Sequence, residues 1–188
     1  MSRKPDDLAK AAQQSATGKG LPPLDKWHPE LSGDMDLRIT RDGAWLYKGE
    51  PISREAIVKL FSTILRREQD GHFYLVTPVE KWRIIVDDTP LLAHSVNVHG
   101  EGGNQVVSVT TNVGEELEIG PEHPLVVTNY PDSDEPRPVV LVRHGVEARL
   151  VTNAFYQLAE LVQEDVVDGE ALMGVVSHGK FWKIGQGG

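Results

Sequence analysis

The feature that most constrains this chain is an internal echo. Arg41-x-Gly43, Asp70-Gly71 and Trp82-Arg83-Ile84 recur in the same order roughly 100 residues on, as Arg143-x-Gly145, Asp168-Gly169 and Trp182-Lys183-Ile184. The elements predicted around the two sets also match. "DMDLRIT" alternates, with Met35, Leu37 and Ile39 on one face and Asp34, Asp36, Arg38 and Thr40 on the other, the period of a half-buried strand. Asp42-Gly43 suits a tight turn into a second strand. Ser53 is placed to cap a helix whose stripe is Ala56, Ile57, Leu60, Phe61, Ile64 and Leu65, with Arg66 and Arg67 complementing the dipole of its last turn. "FYLVTP" and "KWRIIVDD" follow as strands, completing a ββαββ unit. The second copy runs through the strands of "PVVLVRHGVEARL" and a helix capped by Thr152 or Asn153, with Phe155, Leu158, Ala159 and Val162 on its stripe. Two strands in "DGEALMGVVSHGKFWKIG" close it.

Between the copies lie the strand patterns "HSVNVHG", "NQVVSVTTNV", "EELEIG" and "PLVVTN", separated by the turns "EGGN" and "NVGEE". The predicted class is α+β: two related ββαββ halves, the second extended by antiparallel strands into a sandwich or partly open barrel with one helix. The expected organisation is a polar, weakly helical arm over 1–23, an α+β domain over 24–90 and a β-rich domain over 91–188.

Composition narrows function mainly by exclusion. The chain has no cysteine, which removes disulfides, thiolate metal sites and a cysteine nucleophile, and which fits a reducing compartment. A net charge of −9 disfavours general attraction to nucleic acid or anionic lipid. No signal-like or membrane-spanning stretch is present, so a cytoplasmic location is expected. The histidines at 28, 72, 94, 99, 123, 144 and 178 show no metal-binding spacing, and no metal or cofactor is indicated. G-x-S-x-G, the Walker A loop and G-x-G-x-x-G are all absent from the strand-turn-helix settings they need.

The remaining candidates are charged residues of the first repeat. Asp36 and Arg38 share a strand face with a spacing suited to gripping a ligand. Arg54 falls in the first helical turn, where a cation opposes the helix dipole unless an anion rewards it. Glu80 and Lys81 stand at the mouth of the "KWRIIVDD" strand, and the second repeat replaces them with Lys180 and Phe181. Trp82 and Trp182 read as core residues, while Trp27 is free to cover a groove or pin the arm.

"GDMDLRITRDGAWLYKGEPI", "KLFSTILRREQDGHFYLVTPVEKWRIIVDD" and "NVGEELEIGPEHPL" resemble the bacterial family of unknown function numbered 1285, over nearly the whole chain after about Leu21. The resemblance implies a duplicated core, a C-terminal half similar to pleckstrin-homology-like folds, and a pocket between the halves for a nucleotide-like molecule in signalling. It brings no established activity or catalytic residues. The leading reading is a ligand-binding or signalling module without catalysis, with Asp36, Arg38, Arg54, Glu80 and Lys81 facing a small anionic, nucleotide-like ligand. Two alternatives stay open: an enzyme assembled from scattered groups, with Glu80 or Asp36 as base and Lys81 or Arg38 stabilising charge, and a protein-interaction domain.

Overall fold

The computed structural model describes residues 3–15 and 20–186. Parts of the expected arm, at 1–2 and 16–19, lie outside them. The chain forms two compact units. Unit 1 holds Met1–Pro90 with Arg143–Val146, and unit 2 holds Leu91–Val142 with Glu147–Gly188.

Unit 1 is built on a six-stranded sheet. In chain order its strands are β1 (Gly33–Ile39), β2 (Trp45–Tyr47), β3 (Glu50–Pro51), β4 (Leu65–Arg67), β5 (Phe73–Val76) and β6 (Lys81–Val86), and in space they run β3-β2-β1-β6-β5-β4. The central pair β1/β6 is parallel and the other neighbours are antiparallel. Met35, Leu37, Ile39, Trp45, Leu65, Leu75 and Ile84 are buried, as the alternation of β1 requires. Helix α2 (Glu55–Thr63) contributes buried Ile57 and Phe61, with the Phe61 ring 6.5 Å from Trp45. Helix α1 (Pro5–Gln14) buries Leu8, Ala9 and Ala12 and packs on α2, so this part of the polar arm belongs to a core. Each fully buried Leu or Phe stabilises the unit by about 1.5–3 kcal/mol.

Two local expectations need correction. The first concerns where α2 ends: it stops at Thr63, and Arg66 and Arg67 belong to strand β4 rather than to a last helical turn. Ile64 and Leu65 are buried as the stripe predicted, but Leu65 pairs with Leu75 across the sheet, and an apolar pair satisfies either geometry. The second concerns the cap, which is Arg54 rather than Ser53 and makes no side-chain capping bond.

Unit 2 has a six-stranded sheet of β7 (Leu91–His99), β8 (Val106–Thr111), β9 (Glu116–Glu118), β10 (Leu125–Asn129), β11 (Pro136–Arg143) and β12 (Val146–Leu150), ordered β10-β11-β12-β7-β8-β9. Helix α3 (Thr152–Ala159) packs against β7. Only Leu158 of its expected stripe is fully buried; Ala154 joins it, and Ala159 is exposed. A meander of β13 (Gln163–Val167), β14 (Glu170–Ser177) and β15 (Lys180–Gln186) forms a separate three-stranded sheet, where sequence patterning had suggested two strands. Ser177 ties it to the larger sheet: its buried hydroxyl donates to the Ile119 carbonyl at 2.6 Å and accepts from the Val107 amide at 2.9 Å.

The two halves are similar, and the order of hairpin, helix and three-strand meander occurs twice. Asp70-Gly71 and Asp168-Gly169 make the first meander turns, and Trp82 and Trp182 occupy the last strands. In unit 1 that last strand returns beside β1 in parallel, whereas in unit 2 the place beside β11 is taken by β10 in antiparallel pairing, the inserted β7 runs parallel to β12, and β15 lies against β10. Among the described residues no helix is long and apolar enough to cross a membrane.

Candidate functional site

The turn from β2 to β3 is Lys48-Gly49, with φ of 51° and 81°. Tight turns of this kind favour Asn or Asp followed by Gly, because a short polar side chain tolerates the left-handed region. Here the first position is a lysine, whose side chain gives the turn no such help. Its amide donates to the Asp36 carbonyl at 2.9 Å, which fixes the turn against β1. A few residues on, Arg54 occupies the N-cap of α2, where Ser, Asp or Asn would satisfy the free amides and an acidic group would suit the dipole.

Both residues line one cavity of about 360 Å³, together with Lys4 and Asp6 at the start of α1, Tyr47, Glu50 and the apolar Ile52 and Ile57. Lys48 Nζ lies 5.5 Å from the Tyr47 ring centre. The Arg54 guanidinium is 3.7 Å from Asp6, and both side chains are about two-thirds exposed (70% and 66%), so this pair contributes little stability.

Of the residues expected to form the site, only Arg54 lines this cavity. Lys81 lies on the face of β6 opposite Trp82 and Ile84, where its Nζ donates to Glu68 Oε1 at 2.9 Å and lies 4.8 Å from the ring centre of the buried Tyr74. Arg66 donates to the other oxygen of Glu68 at 2.7 Å and to the carbonyls of Leu24 and Trp27 at 2.9 and 2.8 Å, pinning the segment ahead of β1. Burial pushes the Glu68 carboxyl up, but the hydrogen bonds from Lys81 and Arg66 outweigh it and leave the pKa lowered. Tyr74 donates to Asp70, which pushes the phenol up to about 12 and holds the Asp70 carboxyl low.

Glu80 points to the opposite side of its strand. It accepts from the Trp82 indole at 3.0 Å and pairs with Arg3 at 2.9 Å, so its carboxylate serves as the partner of an otherwise unsatisfied indole. Arg38 pairs with Asp87 at 2.8 Å, while the hydrogen bonds from Arg83 hold the Asp34 carboxyl low. The Asp36 side chain is exposed and has no partner among the described residues. The five candidates therefore belong to five separate settings. Lys48 and Lys4 were missed, and the available signal was "YKGE", a turn dipeptide with lysine in the asparagine position.

Unit 2 has a larger cavity of about 530 Å³, lined by Glu116, Glu118, Glu122, His123 and His178. Its carboxylates suit no anion. Among the described residues no three His, Cys, Asp or Glu side chains converge to hold a metal.

The molecule is thus defined as an α+β protein of two similar halves, with a cavity in the first that three cations and two carboxylates line. The chain belongs to the DUF1285 family: the model of the family's N-terminal domain matches residues 22–89 and that of its C-terminal domain residues 90–184, as the sequence resemblance implied. It is similar to the crystal structure of a DUF1285 family protein from Silicibacter pomeroyi DSS-3, with 44% identity over 95% of this chain and 94% of that one and a TM-score of 0.82. A DUF1285 family protein from Shewanella baltica OS155 shares the fold, with 24% identity over 66% of this chain and 91% of that one and a TM-score of 0.52. No curated protein matches the chain.

Proposed function

We propose that the protein is a ligand-binding module without catalysis, and that its ligand is a small polyanion of the phosphate or nucleotide-phosphate class held in the cavity at the start of α2. One observation carries the reading. At two backbone positions where local structure prefers other residues, the β2–β3 turn and the N-cap of α2, the sequence places cations, Lys48 and Arg54, and both line the same cavity. A cation at a helix N-terminus costs about 0.3–1 kcal/mol relative to a neutral residue, and such a cost is retained where a bound anion offsets it. Lys4 adds a third positive charge, and Tyr47 with Ile52 and Ile57 supplies apolar wall for a ring. Asp6 and Glu50 are suited to accept from ligand hydroxyls.

Calorimetric titration with inorganic pyrophosphate, followed by nucleoside diphosphates, tests the reading. Saturable binding that weakens at least tenfold in the Lys48→Ala/Arg54→Ala double variant, and weakens with added salt, is expected. Absence of binding, or equal binding by the variant, contradicts it.

A further inference from the structure

The meander of unit 2 ends on an open strand. β13 pairs with β14 on one side, and it is the last strand of its sheet. All five of its residues are exposed, including Val166 at 65%. The Asp168-Gly169 turn, with φ of 53° and 81°, pairs Val167 with Glu170. A two-residue turn makes its closing pair a hydrogen-bonded one, so the alternation of an antiparallel ladder turns the amides and carbonyls of Glu164 and Val166 outward. One contact agrees with this: the Val166 amide donates to the Asp165 carboxylate at 2.8 Å and to no strand. A neighbouring side chain thus covers the outward donor of an edge that would otherwise recruit strands indiscriminately.

Charge says what the edge admits. From Glu160 to Glu170 the sequence is ELVQEDVVDGE, with acids at 160, 164, 165, 168 and 170 and no base. A second copy would set these acids against one another, and like charges across a strand pair are destabilising. A nucleic acid is repelled for the same reason. A lysine- or arginine-bearing strand has the opposite sign, can draw the Asp165 carboxylate off the Val166 amide, and can lay an apolar residue beside Val166.

We infer that the outer edge of β13 docks an extended basic segment of another protein, which adds a fourth strand to the β13-β14-β15 sheet. Backbone hydrogen bonds to Glu164 and Val166 supply the pairing, and Glu164 and Asp165 select for positive charge. The inference is independent of the cavity in unit 1.

The probe is a peptide of alternating lysine and valine, followed by fluorescence anisotropy, with hydrogen exchange read at single amides of the intact chain. Binding is expected to be at least tenfold tighter than for a glutamate-valine peptide, with exchange at Glu164 and Val166 slowed at least tenfold. N-methylation along one edge of the peptide should abolish both effects. The Glu164→Lys/Asp165→Lys variant alters only exposed side chains and is expected to reverse the preference between the two peptides. Binding without protection at these two amides, or binding that survives N-methylation, overturns the inference by showing charge attraction alone. Protection that grows with protein concentration in the absence of peptide also overturns it, because the occupant is then a second copy.

Discussion

At the scale of single residues, the two tryptophans of the repeat show how a charged residue can look functional while serving the fold. Trp182 is buried and gives its indole hydrogen to the Ser177 carbonyl at 3.0 Å, whereas the half-buried Trp82 gives its own to Glu80. The duplicated fold needs an acceptor at both places and finds it once in the backbone and once in a side chain. Glu80→Ala should therefore destabilise the protein by about 1–2 kcal/mol in urea unfolding, and Glu80→Gln, which keeps an acceptor oxygen, by clearly less. Neither should change anion binding. Tyr74 offers a second check. Its pKa of about 12 lies above the ordinary 10.0, so the Tyr74–Asp70 hydrogen bond contributes stability that is fully present below pH 10.0 and is lost as pH rises through about 12. Phenolate absorbance should show Tyr74 ionising near pH 12, and Asp70→Asn should bring it down toward the ordinary 10.0.

At the scale of elements, the start of α2 is where fold and function are predicted to oppose each other. Arg54→Ser replaces an N-cap without a capping bond by one that can make it, and should stabilise the protein by about 0.5–1 kcal/mol while weakening pyrophosphate binding. A substitution that gains stability and loses binding is hard to attribute to misfolding. The elements themselves were largely readable. The alternation of Met35, Leu37 and Ile39 marked β1, and the repeated turn and tryptophan landmarks marked the duplication. Strands β4 and β13 were not readable, for different reasons. Ile64 and Leu65 continue a helical stripe into an edge strand, and β13 is exposed along its whole length, so it carries no burial pattern at all. The cavity was half legible. Arg54 stood out because a cation at a helix start is locally unfavourable, but Lys48 required knowing that its backbone is left-handed. Asp36, Arg38, Glu80 and Lys81 drew attention by charge alone, and charge does not reveal which way a side chain is already committed.

At the scale of the whole molecule, unit 1 carries the ion pairs Arg66–Glu68–Lys81, Asp34–Arg83 and Arg38–Asp87. These pairs commit Arg38, Arg66, Lys81 and Arg83 to carboxylates away from the α2 cavity, which Lys4, Lys48 and Arg54 line. An anion should therefore perturb one small region. The most direct test is to follow backbone amide resonances while inorganic pyrophosphate is added. Anion binding in the α2 cavity requires saturable shifts confined to residues 4–6 and 47–57, with the amides of β6 and of unit 2 unmoved. Shifts centred on Lys81 and Arg83, or no saturable shift anywhere, would contradict it.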